Sequence, residues 1–387
     1  MQESELSELK EVPAAPEGED NERELHMASL RAALLQQVDA YWRSRMMSHT
    51  EELVGAFRIF CKRVMEQQAL GHKAPIAYIH VSFLRSWLLQ EKFMYSIEAY
   101  DDRWYLDAAE CMHMYEMPWL YPFVQSFKQE LTQTPLLRTL SETERDSIVI
   151  QHVAIIHQYV QEWIRVAVPQ LIALPEFQAV KRADVLRIRT GEYKDYSEQV
   201  WMEDRLEKDV AACKSWLEQK LPAAYMCSDL RGLDLSEGQY EGIDLRYSHC
   251  VGSRLSGSNL RGSVCIGTDF SHGRLGGVNF SQSLLYDANF SGSDLSGAQF
   301  NEAIGGEPFF HEGMVLGFQR VDFTGANLQG ASLLYADFQG ADFRGANLTG
   351  AKLMKQDAHK WTLSEEQQRR VIWMEEGGNG IPVEIER

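Results

Sequence analysis

The sequence of 387 residues carries none of the short motifs that announce an enzyme. It has no Walker A loop, no G-x-G-x-x-G turn, no G-x-S-x-G elbow and no H-E-x-x-H pair. Cysteine is sparse. Cys61, Cys111, Cys213, Cys227, Cys250 and Cys265 form neither a C-x-x-C pair nor a paired framework, which excludes a stapled secreted scaffold and suits free thiols in a reducing compartment. Long apolar runs are missing as well. The most apolar stretch, Ile148 to Leu174, is broken by Gln151, His152, His157, Glu162 and Arg165, too many polar groups for a spanning helix. The N-terminus is acidic with no apolar core, so no secretory leader is read there and a cytoplasmic protein is expected.

An excess of positive charge is also absent. The formal net charge is −18, and residues 1–26 hold nine acids against two bases. That tail, with Pro13, Pro16 and Gly18 and few apolar side chains, is expected to be disordered. Residues 27–224 are nearly balanced, with 26 acids and 23 bases. Direct nucleic-acid binding is disfavoured, because phosphate recognition needs a basic face.

What the sequence does have is a period of five. From Leu230 to Phe300 every fifth residue is Leu, Phe, Tyr or Cys, and a second run extends from Phe323 to Leu353, giving 22 centres. Two positions before the centre the residue is Ala, Ser, Thr, Gly or Val in 20 cases, with Leu233 and Ile243 the exceptions; two positions after, it is Gly in 14. Five suits neither helix nor flat strand. It suits a chain that turns a corner every five residues, with the large and the small residue both inward and glycine accepting the corner geometry. Four repeats close one square coil, and stacked coils at the β-sheet spacing give a rod about 26 Å long.

Ala326-Asn327-Leu328, Ala336-Asp337-Phe338, Ala341-Asp342-Phe343 and Ala346-Asn347-Leu348 fit the pattern A(D/N)LXX, and the segment resembles the pentapeptide-repeat family. The resemblance implies a right-handed quadrilateral β-solenoid over residues 223–357. Phe300 and Phe323 are 23 apart, so at least three residues are inserted between them. The insertion at 301–320 either folds back as a bulge or protrudes as a contact loop, for which Glu307, Pro308, Phe309, Phe310 and Met314 are the protein-contact candidates. Members that shield DNA topoisomerases look similar in having such loops.

Residues 27–194 read as a helical or α+β domain. Leu30, Leu34, Leu35, Val38, Tyr41 and Trp42 keep helical spacing, while Ser48 with Glu51 and Ser141 with Glu144 are capping-box starts. Alternation around Ile76–Val81 and Phe93–Tyr100 predicts two strands, with Asp101-Asp102 as a turn. Residues 195–222 are expected to form a linker and capping helix for the coil. Ser364 with Gln367 opens a helix through Glu376 within a C-terminal segment 358–387; it caps the far end or, as the topoisomerase-protecting relatives imply, makes a homodimer contact.

No cofactor or metal is expected. His152 and His157 fall on different faces of a helix, and Cys111 with His113 has no second pair nearby. Asp101, Asp102 and Asp107 form an acidic cluster beside Trp104 and Tyr105, for which acid–base work and ordinary turn chemistry are the two readings. The Asp and Asn before many centres are either polar corner groups or a ladder imitating phosphate spacing. The leading expectation is a non-enzymatic interaction scaffold that binds another protein through the solenoid and the N-terminal domain. The alternatives are a topoisomerase-protecting DNA mimic, and an enzyme or accessory subunit of a biosynthetic enzyme with its site in the N-terminal domain.

Overall fold

A computed structural model describes residues 17–306, 310–311, 314–315, 317–378 and 380–385. The chain divides into two compact units: residues 1–46 with 117–156, and residues 47–116 with 157–387. Helix α1, Glu17–Ala69, contributes to both. Residues 1–16 of the expected disordered tail lie outside the described residues. From Glu17 onward that tail is helix, because the run Glu-Arg-Glu-Leu-His-Met-Ala is rich in good helix formers.

The first unit is helical. It combines the early turns of α1 with α2, Tyr121–Gln133, and the start of α3, Glu142–Ile172. Leu34, Leu35, Val38, Trp42, Val124, Phe127, Leu131, Val149 and Val153 are buried. His152 stacks on Phe127 at 4.6 Å. Ser141 and Glu144 form the expected N-terminal box: the Ser141 backbone N–H donates to Glu144 at 2.7 Å, and the Glu144 N–H to the Ser141 hydroxyl at 3.2 Å.

The second unit opens with a mixed five-stranded sheet. Its strands are β1 (Ile76–Phe83), β2 (Met94–Tyr100), β3 (Met112–Glu116), β4 (Arg182–Glu192) and β5 (Ser197–Asp204), in the order β3-β2-β1-β4-β5. Only β1 and β4 pair in parallel; the other neighbours are antiparallel. The two strands anticipated from alternation are β1 and β2, and Asp101-Asp102 begins the turn after β2. One sheet face packs on the later turns of α1 and α3. The Nδ1 of His157 is hydrogen-bonded with the Tyr95 hydroxyl at 2.8 Å and its ring stacks on Phe83, and the Gln161 amide donates to the Thr190 carbonyl at 3.3 Å. The short helix α4, Pro175–Ala179, adds Phe177 to this core.

The expected helix over 195–220 is corrected. Ser197–Asp204 is strand β5, pairing along β4 from Val185↔Asp204 to Gly191↔Ser197, and only α5, Val210–Glu218, is helical. Glu, Gln and Met favour helix in isolation, but an antiparallel edge beside β4 overrides that preference.

The repeat segment coils as its period demands. Bridges join residues 20 apart, as in Asp229↔His249, Asp234↔Arg254, Gln239↔Asn259 and Asp244↔Val264, so each coil has four five-residue sides. The centres from Leu230 to Leu353 form one buried column. Phe270, Phe290, Phe323 and Phe343 stack ring over ring at 5.2, 5.2 and 5.0 Å. Small inward residues carry their own bonds: Ser258, Ser263, Thr268 and Ser283 are buried, and each hydroxyl donates to a carbonyl 23 residues earlier. Corner residues adopt left-handed φ, usually Gly, but also Tyr247 at 60°.

The insertion exceeds the three-residue minimum set by the spacing of centres. Bridges across it, such as Asn289↔Asp322, join residues 33 apart, so 13 residues are added. Gly305 takes the centre position after Phe300, and the next centre, Phe323, follows 18 residues later instead of five. A Cβ there would lie 2.5 Å from Val321 and 3.1 Å from Phe338, so those neighbours fill the axis in its place. Glu307, Pro308 and Phe309 lie outside the described residues. Phe310–His311 (β6) and Met314–Val315 (β7) form a two-stranded antiparallel pair. At its end the insertion returns to the unit: Phe318 is buried and meets Tyr159 of α3 edge-on at 4.8 Å.

The C-terminal helix is also corrected. The capping box of Ser364 and Gln367 is present, but α6 spans only Glu365–Arg370. Ile372–Glu376 is strand β9, lying between β8 (Lys352–Met354) and β10 (Pro382–Glu384). Lys352 pairs with Ile372, again 20 residues on, so the coil period continues and wins over helix propensity. The long helix expected to carry a homodimer contact is therefore not formed.

Candidate functional site

The sheet has a second face, opposite the helices, and it is built from polar and aromatic side chains. Strand alternation places Tyr78, His80 and Ser82 of β1 beside Tyr100, Glu98 and Ser96 of β2, and beside Arg187, Arg189 and Gly191 of β4. His80 and Glu98 are cross-strand neighbours, 1% and 2% exposed. The Tyr100 hydroxyl donates to Glu98 at 2.7 Å, Ser82 adds a longer contact at 3.4 Å, and Ser96 also donates. Burial raises the Glu98 carboxyl above its ordinary value, and these hydroxyls work against the shift.

Aromatic rings enclose His80. Tyr100, Trp104 and Tyr105 stand 5.3, 5.5 and 5.4 Å from it, each near a right angle. Burial, reinforced by nearby Arg189, depresses the imidazole to about 3, so it is neutral. Trp104 is held at φ 56°, a left-handed conformation costing a bulky residue roughly 1–2 kcal/mol. The strain sets its ring against Tyr78 at 4.4 Å and under the Arg189 guanidinium at 5.0 Å. Arg187 lies 5.8 Å from the Tyr78 ring. At the margin Tyr196, Leu106, Tyr105 and Met114 are exposed, Tyr196 by 72% and Leu106 by 82%. A cavity of about 200 Å³ opens beside Glu98, lined in part by Tyr100, Tyr105, Tyr193, Met112 and Lys194.

The acidic cluster anticipated from sequence sits at the edge of this face. Asp107 is buried in an ion pair with Lys73 at 2.5 Å and accepts the backbone N–H groups of Asp101 and Ala109 at 2.9 and 2.8 Å. Asp101 accepts from Arg103 at 2.6 Å and from its backbone N–H at 2.9 Å, while Asp102 is exposed. Two of the three carboxylates thus fasten the turn that carries Trp104 and Tyr105. Among the described residues no group of three His, Cys, Asp or Glu could hold a metal ion, and no helix is long and apolar enough to cross a membrane.

The Asp and Asn ladder of the coil has a local job. Asp269, Asp294, Asp322 and Asp342 each accept the backbone N–H two residues on, at 3.0, 3.2, 2.7 and 3.0 Å, and Asn279 and Asn289 do the same. Asp229, Asp244 and Asp342 also hold Arg231, Arg246 and Arg344 at 2.6–2.7 Å.

The sheet and the coil are joined within their unit. Arg165 of α3, 6% exposed in its side chain, pairs with Glu162 and, at 2.9 Å, with Glu198 of β5. Its guanidinium lies 4.1 Å over the ring of corner residue Tyr247, whose hydroxyl donates to Glu162 at 3.0 Å. In the sequence Glu162 and Arg165 show only as polar breaks in the apolar stretch Ile148 to Leu174, and Glu198 and Tyr247 leave no signal. The polar set did leave a signal: His80, Glu98, Arg187 and Arg189 occupy alternate positions of strands whose other positions are apolar.

The pentapeptide-repeat model matches residues 226–262, 263–301 and 318–355. Among solved structures, Rfr23 from the cyanobacterium Cyanothece 51142 is 18% identical, covering 34% of this chain and 93% of its own, with a TM-score of 0.25. HetL from the cyanobacterium Nostoc sp. strain PCC 7120, described as involved in heterocyst differentiation regulation, is 25% identical over 32% of this chain and 62% of its own, with a TM-score of 0.15. QnrB1, described as a plasmid-mediated fluoroquinolone resistance protein, is 21% identical over 33% and 69%, with a TM-score of 0.18. At these scores the likenesses carry no argument about what this chain does. No curated protein matches the sequence. The part of the chain from residue 226 to 355 is a pentapeptide-repeat segment, carrying the family's coil beside an N-terminal part that the family model does not reach.

Proposed function

We propose that the protein is a non-enzymatic interaction scaffold whose main recognition surface is the open face of the five-stranded sheet. The observation that carries this reading is the composition of that face: Tyr78, Trp104, Tyr105 and Tyr196 interleaved with Arg187 and Arg189, with Tyr196 and Leu106 largely exposed. Tyr, Trp and Arg dominate the energetics of protein interfaces, since they combine large contact area with directional donors. The neighbouring coil supplies a rigid support, which we read as right-handed and closed at its first turn by α5. The Lys214 ammonium there donates to the Ser236 carbonyl at 2.6 Å, and Leu217 joins the column. A partner that is a topoisomerase, met through phosphate mimicry, finds less support, because the ladder carboxylates serve their own turns and arginines.

The test uses the full chain expressed in its host and the variant Leu106→Ser/Tyr196→Ser, both changes lying on exposed side chains. One partner protein is expected to co-purify with the parent in fixed proportion, and to fall about tenfold or more with the variant while its thermal unfolding is unchanged. Equal recovery by both proteins would overturn the assignment of this face.

A further inference from the structure

Arg187 and Arg189 stand two residues apart on β4, so both project from the open face, beside Tyr78 and His80 respectively. Among the described residues neither guanidinium has an acidic partner. By contrast, Arg103, Arg165, Arg231, Arg246 and Arg344 each hold a carboxylate in this chain of net charge −18. Arg189 donates to the hydroxyl of Ser197 at 3.0 Å and to its carbonyl, both neutral acceptors. Arg187 is engaged by the face of Tyr78 alone among the contacts resolved for it. Burial lowers the affinity of Arg189 for its proton, and the adjacent Arg187 cation adds to the effect, while the nearby phenols of Tyr105, Tyr78 and Tyr196 oppose it.

Two like charges held together in a partly desolvated setting repel each other, and a carboxylate placed between them removes that repulsion while gaining charge-assisted hydrogen bonds. We propose that Arg187 and Arg189 receive carboxylate side chains from an acidic segment of a partner protein, seated on the open sheet face. This rests on the reading of that face as the recognition surface. The overall charge of −18 decides against a nucleic acid as occupant: a long polyanion meets the repulsion of the whole molecule, whereas a short acidic segment meets mainly the local pair. The rings of Tyr78 and Trp104 lie beside the two guanidinium groups; Arg187 can offer paired N–H groups, while Arg189, whose Nε edge already donates to Ser197, offers those that remain.

The experiment uses the full chain and three probes: fluorescein-labelled hexaglutamate, labelled hexalysine, and a labelled oligothymidylate, read by anisotropy at low ionic strength. Hexaglutamate is expected to bind, to weaken as salt is raised, and to lose about tenfold or more in affinity with Arg187→Glu, while Arg187→Lys keeps part of it. Among the described residues the Arg187 side chain makes no hydrogen bond, and the thermal unfolding of each variant verifies that it is folded. Binding of hexaglutamate that is absent, or untouched by Arg187→Glu, overturns the proposal, as does tighter, Arg187-dependent binding of oligothymidylate. If partner recovery depends on Leu106 and Tyr196 but not on Arg187, the recognition face stands and the acidic occupant falls.

Discussion

Phe290→Ala tests whether the coil is held by its stacked column. Phe290 is wholly buried, with Phe270 on one side and Phe323 on the other, each at 5.2 Å and 7°. Phe280 and Phe300 meet it edge-on at 5.4 and 5.7 Å. Truncation removes the buried ring and leaves a cavity that backbone bridges on every side keep from collapsing, a loss of about 3–5 kcal/mol. Each broken ring pair accounts for roughly 0.5–1.5 kcal/mol of that. Phe343→Ala is the internal control, because among the described residues Phe343 stacks on one phenylalanine, Phe323, and meets Trp361 at a tilt of 51°. Urea unfolding followed by circular dichroism is expected to give a larger loss for Phe290→Ala. Hydrogen exchange is expected to open the coils on both sides of Phe290, but only the last coils for Phe343→Ala. A loss below about 1 kcal/mol for Phe290→Ala, or a larger one for Phe343→Ala, would refute the column as the source of stability.

Acid should weaken the sheet through its histidines. Burial, together with a neighbouring arginine, holds His80 and His157 at about 3, below the ordinary 6.5, so their contribution is complete above pH 6.5 and is lost as pH falls toward 3. Urea midpoints between pH 7 and 4.5 should fall less steeply for His157→Gln than for the parent, by up to about 1.4 kcal/mol per pH unit; parallel profiles would contradict this. Arg165→Met should cost about 3–5 kcal/mol in thermal or urea unfolding by leaving Glu162 desolvated without its cation. Adding Glu162→Gln should recover much of that loss, and a double variant no better than the single one would dissolve the ion-pair account.

The coil could be read from sequence almost completely because its rule is local and repeats. Where that rule is interrupted, reading fails for identifiable reasons. The spacing of Phe300 and Phe323 sets only a minimum of three inserted residues, because a spacing read modulo five cannot tell three from 13. Ile372 stands 20 residues after Lys352, yet Ser364 and the Glu- and Arg-rich stretch after it announce a helix, and the competition was settled by an open coil edge that only the folded column supplies. Strand β5 is hidden in the sequence for the same reason, its hydrogen-bond partner β4 being a tertiary neighbour. The open sheet face is half legible. Alternation around Tyr78–His80 and Glu98–Tyr100 defined two strands, but which alternate set stays open depends on where α1 and α3 pack. The left-handed Trp104, which brings the rings together, has no signature in sequence.

A photo-crosslinking residue introduced in turn at Tyr196 on the sheet face, Ile59 on α1 and Ser281 on the coil tests the central claim most directly in living cells. The account predicts one dominant adduct from Tyr196, of a single partner mass, and little from Ile59. Equal adducts from all three positions, or a dominant adduct from Ile59, would contradict it.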